Sequence, residues 1–472
     1  MVDLHELENL RESNRLEVKA AQGGIPRSVW ETVSAFANTA GGTILLGVRE
    51  RADRSLEVVG LPNASKMLDD FWNAALSKDK VSARFMADDD ARIESMDGKE
   101  IIVIDVPWVD RHARPVFLDK DILDRTFRRT HTGDHRCSRE EVQSMIRDAS
   151  VASQDSDVIE RCWMDDLDHD TIRRYRNGFL HGRENHAWKD YDDADFLRAL
   201  GAADRGVDGE VHPTGAGLLM FGKDRYITNG FPHYFLDYRE ETDPSNRWVD
   251  RFTSQPGDWS GNVYDFYYRV YNKLKQALKV PFKLDEDMLR VDDTPAHKAL
   301  REAIANCLTN ANYYDRRGIV CVWREDAIVI ENPGDFRMPI SEARKPGKSD
   351  PRNETMLKIF GFVNIGERAG SGMTTIFDGW RDAGYAEPYY EVEYGPDRTV
   401  LTLPLAAKLT RKTCQNSGEV ARSSPANAET CQQTPPESAR TRQKAPKVAG
   451  KPARKRPSPP ESARARQKAP PV

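Results

Sequence analysis

The sequence predicts a multidomain α/β (α+β) protein, and three observations carry that expectation. Apolar runs short enough to be strands, such as TILLGV and EIIVIDVPWV, are interleaved with stretches whose apolar residues recur at helical spacing. At 472 residues the chain is long enough for two or three separate cores. Near residue 406 the composition changes abruptly, and large apolar residues give way to Pro, Ser, Ala, Arg and Lys. The expected organisation is a mixed N-terminal domain over residues 1–148 and a middle helical and mixed connecting region over 149–293. A C-terminal α/β sandwich over 294–406 and a disordered basic tail over 407–472 complete it.

The elements follow from local pattern. In RLEVKAA, strand alternation puts Leu16, Val18 and Ala20 on one face and Arg15, Glu17 and Lys19 on the other, exposed one. PRSVWETVSAFANTAGG has Val29, Trp30, Val33, Phe36 and Ala37 at helical spacing, Pro26 near the start and Gly41-Gly42 as the stop. TILLGVRE, ending at Glu50, and EIIVIDVPWV read as buried strands. In the middle region DADFLRALGA and VYDFYYRVYNKLKQAL read as helices and GAGLLMFG as a strand. The clustered Tyr264, Phe266, Tyr267, Tyr268 and Tyr271 have the rings to stack on bases, but their near-helical spacing favours a core role. HKALREAIANCLTNANYY is an amphipathic helix with Leu300, Ile304, Cys307, Leu308 and Ala311 as its buried stripe. Two strands follow in GIVCVWREDAIVIENPG, turning at Asp326-Ala327. Met373, Ile376, Phe377 and Trp380 mark a helix after GERAGSGM, and RTVLTLPL closes the sheet.

Composition narrows the function classes. No apolar run approaches the roughly 20 residues of a membrane-spanning helix, and MVDLHELENL lacks a basic region followed by an apolar one. The expectation is a cytoplasmic protein with no membrane partner. Six scattered cysteines without a C-x-x-C pair argue against a zinc ribbon and against a disulfide framework. His131, Asp134, His135 and Cys137 in HTGDHRC can be drawn as a metal site, but that composition is commonplace in polar loops and the loop reading stands. The net charge of −5 hides a tail of +11 and a preceding body of −16. The tail carries the near repeat PPESARTRQKAP and PPESARARQKAP, suited to weak, salt-sensitive attraction to nucleic acid or to a plain solubilising role.

Two constellations carry chemistry. In the first, Glu12 precedes the RLEVKAA strand, Glu17 lies on it, and Glu50 ends the next buried strand. If the two strands are neighbours, three carboxylates converge, and such a group suits Mg²⁺ or Mn²⁺. A metal there would activate water and stabilise a phosphodiester transition state. The plainer alternative pairs Glu12 and Glu17 with Arg11, Arg15 or Lys19 on a wet surface. Lys19, Arg128 and Arg129 are the candidate nucleic-acid-binding cations. In the second constellation Glu302, Asn306 and Asn310 recur every four residues, a spacing that gives one polar row on a helix. An acid and an amide one turn apart suit a general base and a Mg²⁺ ligand. Gly366, Gly370 and Gly372 precede a helix whose free N–H groups favour phosphate. KPGKSD hints at a phosphate-binding P-loop, but no glycine occupies the required earlier position, so that motif is rejected.

ESNRLEVK, SAFANTAGGTILLGV and TFRRTHTGDHRCS resemble the Schlafen AlbA-like domain across most of residues 1–148. Resemblance to the nucleolytic Schlafens implies an acidic, metal-holding triad at Glu12, Glu17 and Glu50, with Lys19 contacting nucleic acid. This chain has Glu50 where the usual residue is Asp, preceded by Arg49 instead of a second acid. The extra methylene moves the carboxylate by about 1.5 Å, enough to disturb metal geometry. Prokaryotic relatives are described as DNA-binding regulators. ALREAIANCLTNANYY, IVIENPGDF, DPRN and GERAGSGM resemble the RecG C-terminal-like ATPase domain, related to the gyrase, Hsp90, histidine-kinase and MutL (GHKL) group. HPTGAGLLMFGK is also characteristic of such proteins. This resemblance implies ATP and Mg²⁺ as cofactors, Glu302 as the water-activating base and Asn306 as the magnesium ligand. Asn332 and Gly334 would then lie near adenine, and Gly370 and Gly372 near phosphate. Asn310-Ala311-Asn312-Tyr313 replaces the usual His-Arg-Asp-Tyr, and Asn332 replaces the adenine-reading Asp. Losing that carboxylate costs about 1–3 kcal/mol, unless the amide is correctly oriented.

The expected function is a nucleic-acid-binding transcriptional regulator, on DNA or RNA, with an ATP-binding-like C-terminal domain and room for a homodimer. The alternative is a metal-dependent endoribonuclease or other nuclease of Schlafen type, acting in phage defence. A third reading is a scaffold recruited through its tail, and a fourth a retired nucleotide fold used for dimerisation.

Overall fold

The computed structural model describes residues 13–278, 293–366, 370–393 and 397–407. Glu12 and the tail beyond Ala407 lie outside the described residues. The N-terminal part runs β1 (Leu16–Lys19), α1 (Arg27–Ala37), β2 (Gly42–Leu46), β3 (Val48–Glu50), β4 (Leu56–Val58), α2 (Ala64–Ala75), β5 (Ala91–Met96), β6 (Lys99–Val106), β7 (Phe127–Thr130), β8 (Gly133–Arg136) and α3 (Arg139–Ala149). Its main sheet has the order β1-β2-β6-β5, with β1 parallel to β2 and the other pairs antiparallel.

Every central residue of β2 and β6 is apolar because both sheet faces are covered. Ile44, Leu46, Ile102 and Ile104 pack under α1 and α2, while Leu45, Ile101 and Val103 meet Leu16, Val18 and the β3–β4 hairpin. At Gly47 the chain leaves the main sheet, so TILLGVRE forms two strands where one is expected, and Glu50 belongs to the hairpin. The AFANT segment ends α1 with a buried amide. Asn38 Nδ2 donates to the carbonyls of Val116 (2.8 Å) and Phe127 (3.0 Å), and its Oδ1 accepts from Val116 N–H (2.8 Å). Thr39 Oγ1 accepts from Arg129 N–H at 2.9 Å, so one pair of polar residues fixes β7 against the helix.

The remainder runs α4 (His169–Leu180), α5 (Asp193–Leu200), β9 (Ala203–Arg205), β10 (Val211–Pro213), α6 (Gly215–Phe221), α7 (Asp224–Gly230), β11 (Leu236–Glu241), β12 (Asp250–Thr253), α8 (Val263–Leu274), α9 (Pro295–Asn310), β13 (Ile319–Arg324), β14 (Ala327–Pro333), α10 (Ile340–Ala343), α11 (Glu354–Phe362), α12 (Gly372–Asp382), β15 (Tyr389–Glu393) and β16 (Arg398–Pro404). GAGLLMFG is the helix α6, against the strand expectation. All seven of its residues are buried, so no polar face reveals the helical period, and the Thr214 hydroxyl caps its start.

A six-stranded sheet takes the order β12-β11-β13-β14-β16-β15, with β11 parallel to β13. Two of its strands come from the middle region, and one apolar core extends from Cys162 to Leu403. The boundary drawn at 293 from sequence therefore crosses a shared sheet and core. Tyr264, Phe266 and Tyr267 are buried there, whereas Tyr268 keeps an exposed edge. Among the described residues no helix is long and apolar enough to cross a membrane. The N-terminal part is joined to the rest by ion pairs: Arg352 holds Asp148 through two bonds of 2.9 Å, Arg111 meets Asp350 at 2.7 Å, and Arg128 meets Asp335 at 2.9 Å.

Candidate functional site

Glu17 faces the helix side of the first sheet, because Leu16 and Val18 take the opposite face. It is 6% exposed, unlike the wet strand face expected from sequence. Its Oε2 accepts from Arg129 Nη2 at 2.8 Å, and its Oε1 pairs with Lys19. Arg129 also binds Asp134 (2.9 Å) and the carbonyl of Ser13 (3.0 Å), and lies 5.1 Å from the centre of the Phe36 ring. Burial alone would pull its guanidinium down, and Asp134 and Glu17 more than reverse this.

Arg128 points the other way along β7, into Asp335 and Asp397. Of the three expected nucleic-acid contacts, Lys19 keeps partial exposure while Arg128 and Arg129 are buried in ion pairs. Glu50 is exposed on the β3–β4 hairpin. Both Glu17 oxygens are taken by protein cations, and no group of three or more His, Cys, Asp or Glu among the described residues is placed to hold a metal ion. Glu12, the third expected donor, lies outside the described residues. In HTGDHRC, burial pushes the Cys137 thiol up to about 12, which keeps it protonated.

The second constellation converges. Glu302, Asn306, Asn332, Gly370 and Gly372 all line one cavity of about 920 Å³, mouth included, between α9, the sheet and the start of α12. Helical period places Glu302, Asn306 and Asn310 along its wall. Gly372 opens α12 against that row. A Cβ there would lie 2.2 Å from Glu302 Oε1 and 3.0 Å from Asn306 Nδ2, so a larger residue would have to push the Glu302 carboxylate aside. Asn332, on β14 beside Thr399 of β16, donates from Nδ2 to the carbonyl of Pro333 at 3.2 Å. That orientation leaves its Oδ1 as an acceptor. Gly334 begins the wall segment but does not itself line the cavity. Its φ of +94° suits glycine, and a Cβ there would meet Arg352 Nη1 at 2.6 Å.

Sequence reasoning missed several wall residues. Asp335, Arg337, Lys348, Asp350 and Tyr390 line the same cavity. Lys348 belongs to KPGKSD, whose Gly347 N–H donates to the Gly370 carbonyl at 3.2 Å. The motif is no P-loop, yet its lysine reaches the pocket, a signal that could have been kept. Burial lowers Arg337 to about 10 against the opposing pull of Asp148 and Asp350, and burial raises the Tyr390 phenol. The cavity combines a helix start and Lys348 for phosphate with Asn306 for Mg²⁺ and Glu302 for a base, so its residues fit a magnesium nucleotide.

Residues 12–138 match the family model described as "Schlafen, AlbA_2" and residues 321–403 the one described as "Putative ATP-dependent DNA helicase recG C-terminal". Residues 143–237 match a domain of unknown function, DUF8451. No curated protein matches the chain. Among solved structures, the DIP2311 protein of Corynebacterium diphtheriae is 17% identical over 83% of this chain and 74% of its own, with a TM-score of 0.41. The N-terminal domain of a RecG-related helicase-type protein of Nitrosomonas europaea is 31% identical over 28% of this chain and 90% of its own, with a TM-score of 0.23. The chain thus carries a Schlafen AlbA_2 domain followed by a RecG C-terminal-type domain.

Proposed function

We propose that this protein is a nucleic-acid-binding regulator of the cytoplasm whose C-terminal pocket takes ATP with Mg²⁺. The observation that carries the reading is the approach of Gly372 to Glu302 and Asn306 inside one cavity. Lys348 and the N–H groups at the start of α12 would bind phosphate oxygens, and the Asn332 acceptor would take an adenine amino hydrogen. Asn306 would hold Mg²⁺, which supplies charge neutralisation of the phosphates when bound. Glu302 is buried beside Gly372 and would serve as the base that takes a proton from the attacking water. Nucleotide occupancy would alter how the protein engages DNA or RNA, with a homodimer as one arrangement in which it does so. The metal-dependent nuclease reading draws less support, because Arg129 and Lys19 already engage Glu17.

Calorimetry with MgATP tests the pocket. The wild-type protein is expected to bind, and Gly372→Ala to bind at least about tenfold more weakly because Glu302 must move. Absence of both heat and a thermal shift with the wild-type protein overturns the reading.

A further inference from the structure

The inner wall of the pocket is the segment from Gly334 to Arg337, and it has a second side. Asp335 and Arg337 line the nucleotide cavity and also a smaller cavity at the junction of the N-terminal part with the rest. Across that junction stand Asn38, Arg114, Arg128, Glu141 and Asp148, all from the N-terminal part.

The wall is held from that side. Asp335 Oδ2 accepts from Arg128 Nη2 at 2.9 Å, and the Asp335 carbonyl accepts from Arg352 Nη2 at 3.3 Å. Arg352 is itself fixed by its two bonds to Asp148. Arg337 donates to the carbonyls of Asp148 (3.1 Å) and Pro351 (2.8 Å). The other amino group of Arg128 engages Asp397, whose carbonyl accepts the Gly334 N–H at 3.0 Å. Asp397 Oδ1 is buried without a hydrogen-bond partner, so Arg128 is its main stabilising contact.

We infer that the nucleotide pocket is a composite site: Arg128 of the AlbA_2 domain is a positioning residue for the Gly334–Arg337 wall and sets the pocket's affinity for its ligand. This rests on the nucleotide reading above. Arg128 does not line the nucleotide cavity. It acts through Asp335 and Asp397, and its loss leaves these two half-buried carboxylates facing each other with Arg352, 3.9 Å from Asp335, left to offset them, which moves the wall. Coupling of this kind is reciprocal, so a ligand that tightens the wall also tightens the hold on the domain that supplies Arg128.

The pH dependence gives a readout that a merely structural arginine would not produce. Asp397 is raised to about 6, chiefly by burial and then by Asp335 and Glu141 against the pull of Arg128. The titratable and charged groups facing it are Arg128 from β7, Cys137 before α3, Glu141 in its first turn, Asp335 after β14, and Arg352 before α11. Below about pH 6 the Asp397 carboxylate gains a proton and its charge pairing with Arg128 is lost.

The test is MgATP affinity, measured by calorimetry on the full chain from about pH 5 to about pH 8, for wild type, Arg128→Gln and Asp397→Asn. Ligand protonation cancels in the ratio of wild-type to variant affinity. Arg128→Gln is expected to bind about tenfold more weakly at about pH 8. The wild-type advantage over Asp397→Asn should fall from several-fold at about pH 8 towards one at about pH 5. Glu140→Gln, which alters only an exposed pair with Arg316, should match wild type throughout. If wild type binds MgATP and both Arg128→Gln and Asp397→Asn bind with its affinity and pH profile, the composite site is overturned while the nucleotide reading stands. If Arg128→Gln does not fold, Asp397→Asn alone decides by the same criterion. If wild type does not bind MgATP, both readings fall.

Discussion

Arg128 and Arg129 are adjacent on β7, so strand alternation sends their guanidinium groups to opposite sides. Arg129 locks Glu17 and Asp134 inside the AlbA_2 domain, whereas Arg128 reaches Asp335 and Asp397 in the other domain. Neither leaves its charge on the surface, so of the three expected contacts Lys19 alone keeps partial exposure to a nucleic-acid phosphate. The two kinds of cation should respond differently to substitution. Lys19→Gln is expected to leave urea unfolding within about 0.5 kcal/mol of wild type, to weaken nucleic-acid binding several-fold and to lower its log–log salt slope by about one. Arg129→Gln is expected to cost about 3 kcal/mol in unfolding, because it removes the buried cation shared by Glu17 and Asp134. Equal destabilisation by both, or an unchanged salt slope for Lys19→Gln, would contradict this division. The polar row Glu302–Asn306 was legible in the sequence, since a helix fixes which residues share a face. Arg128 was not, because its partners lie 207 and 269 residues away and no local pattern joins them.

Elements were legible where one face differed from the other. α1 and α9 show a helical period because each has a polar side, and the strands β2 and β6 read as buried because both their faces meet apolar cores. The period fails for α6, which is enclosed on all sides, and composition hides the shared sheet that β11 and β12 build with β13. The connection between domains is equally hidden. Asp155, in the segment after α3, is buried and accepts the N–H groups of Met356 (2.7 Å) and Thr355 (3.3 Å), so it caps α11 from 200 residues upstream. Asn353, the residue at the cap position itself, makes no side-chain cap bond. Asp155→Ala is expected to cost about 1–3 kcal/mol in urea unfolding, the range of a lost cap plus unsatisfied buried donors. Asp155→Asn, which retains an acceptor, should cost less. A silent Asp155→Ala would mean that water replaces the cap without penalty.

At the scale of the whole molecule, the two domains meet through charge instead of a continuous apolar core: Cys162 to Leu403 forms one cluster and the AlbA_2 sheet forms its own two. Such a junction makes stability depend on pH with opposite signs for its acids. Burial would raise Asp148, but Arg352 and Arg337 more than reverse it, so its pKa is lowered below 3.8. Its contribution is present above the unfolded pKa and is lost only as pH falls through the lower folded value. Asp397 is raised to about 6, so the folded state binds its proton more readily than the unfolded chain does. Protonation there adds stability that is complete below the unfolded value near 3.8 and disappears as pH rises through about 6. His212, raised by its bond to the Cys162 carbonyl and by Asp208, works in the same direction and must be separated by a variant. Urea unfolding of wild type should therefore show stability rising as pH is lowered from about 8 to about 5, and Asp397→Asn should remove the Asp397 share of that slope while leaving the His212 share. Matching slopes for wild type and Asp397→Asn across this window would show that Asp397 keeps an ordinary carboxylate pKa. A slope removed by the variant would mean that acidification steadies the fold while loosening the pocket wall, because the proton that relieves Asp397 also removes one of the two carboxylates that hold Arg128.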